Sequence, residues 1–412
     1  MRQLLLLSLT VIATICHGQD FNEYFTDNTM RIDYIFAGDR YRQDIYLDNI
    51  SKTTRWYGRK ENLAETPLRG NGMITVRDSL TERVIYRHPF STLFQEWLST
   101  EESKHTRKAF ENVFLVPFPK RAVTVTVELY DYRDNVTATM THNVSPDDIL
   151  IRRAQSNTTY VILQEAEDST KAIDIAFVAE GYKEEEMDKF RSDAEKAIGA
   201  LFEHEPFKKM RGRFSIVAVM SPSENSGTSI PSKGKWIETA LESHFDTFYS
   251  ERYLTTLRLK KMHDILAGIP YEHIIVLVNT DNYGGGGIYN SYNLSYTDGK
   301  NFLPVVVHEF GHSFGGLADE YEYGTDDPMY FSDIEPWEPN ITTKKDFSKK
   351  WEQLVKEGKA GLIEGAGYLT KGVYRAFENC RMRTNEEKDF CPVCQQALER
   401  MIRFYTEESI LQ

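Results

Sequence analysis

Val307-His308-Glu309-Phe310-Gly311-His312 carries two histidines four residues apart, with a glutamate directly after the first. On an α-helix, residues four apart share a face, so both imidazoles can reach one metal from adjacent turns. Neutral imidazole suits zinc, and a catalytic zinc keeps one position open for water. Glu309 projects beside that water and can take its proton. The implied chemistry is hydrolysis of a peptide bond, with the metal stabilising the oxyanion of the tetrahedral intermediate. A third ligand should follow the helix. Asp319 is the first choice and Glu320 the alternative, because carboxylate oxygen is an accepted zinc ligand and Gly315-Gly316 lets the chain fold back. The pattern arises by accident in roughly one sequence in a hundred of this length, so its surroundings must add weight.

The surroundings favour a helix. Asn301 can cap it, and Pro304 falls in the first turn, where proline is tolerated. Gly315-Gly316 ends it soon after His312. Val305-Val306-Val307 pulls the other way, toward strand, and burial would have to override that propensity. Upstream, Ile173 to Val178, Phe214 to Met220 and Ile274 to Asn279 are short apolar runs of buried-strand type. Met187, Phe190, Ala194, Ala197, Ile198 and Leu201 recur at helical spacing, and a second helix is expected over 254–266. Strands alternating with helices indicate an α/β domain, assigned to 169–412.

Before it, Arg31 to Phe36, Gly72 to Val76 and Ala122 to Leu129 alternate or run apolar with β-branched residues. Asn, Asp, Gly and Pro punctuate them. This reads as an all-β, sandwich-like domain over 19–150, joined by a linker at 151–168. No internal repeat or low-complexity tract interrupts the chain.

Arg2, the apolar run Leu4–Ile15 and the exit Cys16-His17-Gly18 have the order of a secretory signal peptide, with cleavage expected after Gly18. A lipoprotein signal retaining Cys16 is the alternative, for which Ile15 fits poorly. The run is too short to span a bilayer, and no later segment reaches ~20 apolar residues. A periplasmic, cell-surface or extracellular location follows. The net charge of −13, from 62 acidic against 49 basic residues, argues against a nucleic-acid partner. With 41% hydrophobic and 27% charged residues, the 412-residue chain has an ordinary globular composition and room for two to three cores.

After cleavage three cysteines would remain: Cys380, Cys391 and Cys394. In an oxidising compartment one disulfide and one spare thiol are expected, with the pairing undetermined. Cys391-Pro392-Val393-Cys394 also reads as a redox or zinc motif, but a closed zinc site needs four ligands and only three sulfurs are offered.

The stretch from His308 through Gly315-Gly316-Leu317-Ala318-Asp319-Glu320-Tyr321 resembles the zinc motif of the immunoglobulin A metallopeptidase family. Asp174 to Tyr182, Glu205-Pro206-Phe207, Arg252-Tyr253-Leu254, Val278 to Ile288, Gly372 to Arg375, Cys380 to Arg383 and Phe390 to Cys394 resemble it too. The β-rich front part is similar to that family's N-terminal domain. The resemblance implies a metzincin-like peptidase acting on a protein or peptide, with Met382 in a methionine turn beneath the metal. General metzincin spacing would put the third ligand at Ala318, which cannot bind metal; this chain offers Asp319 one residue later. It also implies an edge strand near Gly284 to Tyr289 that pairs with extended substrate. Gly286 and Gly287 would allow close backbone approach there. Tyr374 and Arg375 are further candidates for holding substrate or oxyanion.

Two other functions compete with the endopeptidase. One is an adhesin or a glycan- or protein-binding exported protein whose peptidase domain is inactive; the other is an exopeptidase on the same scaffold. Both histidines, Glu309 and a nearby acid are retained, which weighs against decay. Substrate identity and oligomeric state are not written in these motifs.

Overall fold

The computed structural model describes residues 20–324 and 329–407. The expected signal peptide, with Gly18 and the alternative lipidation at Cys16, lies outside the described residues. No helix among the described residues is long and apolar enough to cross a membrane.

A short helix α1 (Phe21–Tyr24), capped by Asp20, leads into β1 (Phe25–Gly38), β2 (Gln43–Thr54), β3 (Gly72–Asp78) and β4 (Val84–Phe90). Helix α2 (Leu93–Trp97) then precedes β5 (Lys108–Pro119), β6 (Val123–Tyr130), β7 (Val136–Val144) and the two-residue β8 (Arg152–Arg153). They form two four-stranded sheets, ordered β5-β1-β2-β8 and β4-β3-β6-β7. β6 shows why: Val123, Val125, Val127 and Leu129 are buried while the residues between them are half-exposed, the period-2 signature of a one-faced strand. The inward faces meet in one aromatic core, where Phe90 and Phe114 lie 4.4 Å apart and Phe36 packs on both.

The second unit contains β9 (Thr159–Gln164), β10 (Ile173–Glu180), α3 (Met187–Leu201), β11 (Phe214–Met220), α4 (Leu259–Ile265), β12 (His273–Val278), β13 (Gly285–Ile288) and β14 (Tyr292–Tyr296). It continues through α5 (Phe302–Ser313), β15 (Ile341–Thr342), α6 (Glu352–Lys356), β16 (Ile363–Ala366), β17 (Leu369–Arg375) and α7 (Pro392–Thr406). Its main sheet runs β13-β14-β12-β10-β11-β9, parallel in the middle and antiparallel at both edges. Ile175, Phe177, Ile216, Ile275 and Leu277 face a core shared with α3, α5 and α7. The alternate residues Ala176, Val178, Val217, Ile274 and Val276 join the core of the N-terminal sheets. Burial on both faces explains why these strands read as continuous apolar runs.

Two expectations change here. The stretch 151–168 is no free linker: β8 pairs with β2, and β9 pairs with β11, so it is stitched into both units. The helix expected over 254–266 begins only at Leu259. Before it, Thr255 exchanges backbone bonds with His244 at 3.0 and 3.2 Å, in keeping with β-branched residues that favour extended backbone.

Polar bonds also tie the units together. Arg31 of β1 is buried and pairs with Asp264 of α4 at 2.6 Å. Ser91 donates its N–H to the Tyr289 carbonyl, Asn290 donates to the Pro89 carbonyl, and the Trp337 indole donates to Asn71. The N-terminal unit is thus a wall of the region that holds the motif helix.

Candidate metal centre

The motif helix α5 is built from burial rather than propensity. Val305, Val306 and Val307 are all buried, so packing outweighs their preference for strand. Asn301 stands at the N-cap position, but its side chain makes no capping bond there, a departure from the expected cap. The other end follows the expectation. Gly316 adopts φ +59°, a left-handed conformation that suits glycine, and the chain reverses so that the Leu317 N–H reaches the Gly311 carbonyl at 3.1 Å.

That reversal places a second group. The Leu317 carbonyl accepts from His312 Nδ1 at 2.6 Å, and the Arg381 carbonyl accepts from His308 Nδ1 at 2.9 Å. A carbonyl can only accept, so both Nδ1 atoms carry protons. In the neutral rings, Nε2 is then left as a lone pair on each, and the two Nε2 atoms face each other at 3.0 Å. Asp319 Oδ1 lies 3.0 Å from the first and 3.3 Å from the second. Edges of ~3.3–3.5 Å are expected for a tetrahedron of nitrogen and oxygen around zinc. Two lone pairs and a carboxylate converge on one point, which suits a cation, and orienting bonds from Nδ1 to carbonyls are usual for metal-binding histidines. The residues present fit a zinc ion, with His308, His312 and Asp319 as its holders.

Electrostatics point the same way. Burial opposes charge on both imidazoles, yet the Asp319 carboxylate outweighs it, raising His308 and lifting His312 to about 9. Asp319 is held low despite its own burial, chiefly by His312 and His308. Without a metal the site would hold protons in its place. Glu309 is buried beside them, and burial raises its carboxyl, with Asp319 adding and the histidines opposing.

Glu309 packs against β13, the outer strand of the main sheet. A Cβ on Gly285 would stand 2.5 Å from Glu309 Oε1, and one on Gly287 would stand 2.5 Å from the Glu309 carbonyl oxygen. The glycine run therefore permits close approach of sheet and helix. One part of the strand's outer edge is already taken: Gly285 exchanges backbone bonds with Arg252 and Leu254 at 3.2 and 3.1 Å.

Met382 is fully buried, and its sulfur would lie 2.7 Å from a Cβ on Gly311, directly under the helix between the two histidines. Its carbonyl receives the Glu320 N–H at 2.8 Å. Tyr374 is half-buried on β17 beneath the Lys344 ammonium, 3.9 Å from the ring centre. Arg375 is buried, and its guanidinium is spent on the carbonyls of Phe377, Glu364 and Gly365, which sets it apart from the expected substrate contact. The expected disulfide is not formed: Cys380, Cys391 and Cys394 are buried free thiols, with Cys380 and Cys394 sulfurs 3.7 Å apart.

Two residues, Tyr368 and Glu96, escaped the sequence reading. Tyr368 donates its hydroxyl to Asp319 Oδ2 and sits with Tyr321 and Tyr323 in an aromatic cluster, centroids 5.4–5.9 Å apart. Glu96, on α2 of the N-terminal unit, accepts the Tyr253 hydroxyl. Burial pushes the Glu96 carboxyl up to about 7, with Asp319 and Glu309 adding to the effect and Tyr253 and His312 opposing it. Neither carries a local motif; only the Arg252-Tyr253-Leu254 resemblance pointed near one of them.

The fold and site define a two-domain protein whose second domain brings possible metal ligands together on a helix and the loop after it. Residues 161–361 and 358–402 match the family described as IgA Peptidase M64, and residues 20–141 match its partner domain, Peptidase M64 N-terminus. The chain belongs to the IgA Peptidase M64 family and is by that membership a peptidase of metallopeptidase type. No curated protein matches it in sequence.

Proposed function

We propose that this chain is an exported zinc-dependent endopeptidase that cuts a protein or peptide substrate, with Glu309 as its general base. The observation that carries the reading is the convergence of His308 Nε2, His312 Nε2 and Asp319 Oδ1 within 3.0–3.3 Å, each imidazole oriented by a backbone carbonyl. Zinc bound there would supply Lewis acidity to the attacking water and to the scissile carbonyl. Glu309 takes the proton of that water and later returns it to the leaving amine. A carboxyl raised by burial holds a transferred proton more readily than a solvated one, which suits a proton shuttle. Strand alternation turns the N–H and C=O of Gly287 the same way as those of Gly285, away from β14. An extended substrate pairs there, beyond the stretch of edge covered by Arg252–Leu254.

On the same reading the two facing N-terminal sheets form a sandwich, and Met382 beneath Gly311 supports a metzincin-like catalytic unit. Export rests on the order of residues 1–18 alone. The binding-protein alternative is not favoured by the family match. The test is zinc content and cleavage of a broad protein mixture for the wild type, Glu309→Ala and His308→Ala. Zinc content unchanged and cleavage lost in Glu309→Ala, with zinc content lowered by about one ion per chain in His308→Ala, is the expected pattern. Cleavage that survives Glu309→Ala would overturn the assignment.

A further inference from the structure

A second group of ligand atoms lies just behind the first. Glu320, Cys380, Cys391 and Cys394 each offer one atom, all within 4.8 Å of one another, and all four residues are buried. The Cys380 and Cys394 sulfurs are 3.7 Å apart, and Cys394 Sγ is 3.2 Å from Glu320 Oε1. Tetrahedral zinc with Zn–S near 2.3 Å has sulfur–sulfur edges of ~3.8 Å, and slightly shorter sulfur–oxygen edges. Bonded sulfurs would stand ~2 Å apart, so the arrangement is spaced for a shared ion and not for a disulfide.

The carboxylate supplies an independent pointer. Glu320 is fully buried; Oε1 accepts from Asn340 Nδ2 at 3.0 Å, while buried Oε2 has no hydrogen-bond partner. A buried carboxylate with one oxygen left alone is costly, and a cation held at Oε1, the oxygen beside Cys394 Sγ, would offset that cost. Cys391 stands at the N-cap position of α7 and Cys394 lies in its first turn, so one short stretch of chain brings both sulfurs to the same end of the helix. Three soft sulfurs select zinc over magnesium or calcium. Four protein ligands leave no open position for water, which makes such a site structural and not catalytic.

We propose that Cys380, Cys391, Cys394 and Glu320 form a closed structural zinc site, distinct from the histidine site. On binding, the three thiols release their protons to solvent and no electrons move. The ion ties together the segment after the motif helix, the 380–383 turn and the start of α7. Those segments carry the Asp319 carboxylate, the Arg381 carbonyl that orients His308, and Met382. The site acts on the first centre as a staple for the groups that position its ligands.

The test uses the full chain purified under reducing conditions. Metal analysis should find about two zinc ions per wild-type chain and about one in a His308→Ala/His312→Ala variant. In that variant, X-ray absorption at the zinc edge should show a sulfur-dominated shell near ~2.3 Å. Cobalt replacement should give a sulfur-to-cobalt charge-transfer band that Cys391→Ser and Glu320→Gln alter. The proposal is overturned if the double-histidine variant binds no zinc, if its zinc lacks sulfur ligands, or if mass spectrometry of protein isolated without reductant finds a native disulfide among these cysteines. Because the decisive variant leaves the cysteines untouched, misfolding of cysteine variants does not blunt the test. A wild type with only sulfur-bound zinc would keep this proposal and defeat the histidine-site reading instead.

Discussion

Gly285→Ala isolates how Glu309 is aimed. The new methyl would lie 2.5 Å from Glu309 Oε1, 2.9 Å from Cγ and 3.0 Å from Cδ. Ordinary contact begins at about 3.4 Å, so the carboxylate must retreat by about 0.9 Å. Gly285 does not need a left-handed backbone, and the atoms it meets are the far end of a side chain, so the fold should tolerate the change. A displacement of ~1 Å of a reacting group can cost ~10²-fold in rate, equivalent to ~2.7 kcal/mol of barrier. Steady-state kinetics on a fluorogenic peptide should show kcat down by ~10²-fold with KM little changed. Zinc content and thermal midpoint should stay near those of the wild type. Full kcat in the variant would refute the idea that β13 positions the base. Gly287→Ala is the contrast: its methyl would press the Glu309 carbonyl oxygen at 2.5 Å, so helix α5 itself must shift and zinc binding should weaken with activity.

Tyr368→Phe removes the hydroxyl that donates to Asp319 Oδ2 and should weaken zinc at the histidine site by ~10–100-fold, read by chelator competition. Gly316→Ala places a methyl 2.7 Å from Leu68 and 2.8 Å from Trp337 at φ +59°, and should cost ~1 kcal/mol or more of stability in denaturant titration. In protein stripped of the histidine-site metal, His312 rises from 6.5 to about 9, so its contribution to stability is complete below pH 6.5 and is lost as pH climbs through about 9. The thermal midpoint of the stripped protein should fall across that window, and reloading with zinc should remove this dependence.

What could be read from residue order was local. The HExxH spacing, the glycine break and the buried strands each depend on residues within a turn or two of one another, and each appears where expected. Met382 came from resemblance, and it sits under Gly311. Tyr368 and Glu96 reach the centre through the fold from far along the chain, with no periodicity to announce them. Asn301 looked like a cap because its type fits, but type alone does not orient a side chain. The helix expected from Leu254 failed because Thr255 found a backbone partner in His244, a tertiary pairing that outweighs local preference.

The choice between Asp319 and Glu320 shows the same limit most sharply. Read one dimensionally, they are two neighbouring acids competing for one metal. In the structure they turn to opposite sides of a non-helical stretch: Asp319 lies with the histidines, and Glu320 lies with the cysteines. Sequence reasoning counted three sulfurs and found no fourth ligand, because the fourth is an oxygen on Glu320, 74 residues before Cys394. If each acid serves its own ion, the conservative changes must separate. Asp319→Asn should lose the zinc bound through histidine and keep the sulfur-bound one. Glu320→Gln should weaken the sulfur-bound zinc, and any loss of activity should follow as misplacement of the Arg381 and Asp319 groups. Loss of only the histidine-site zinc in Glu320→Gln would mean that both acids serve one centre, and the division of labour argued from their opposite orientation would be wrong.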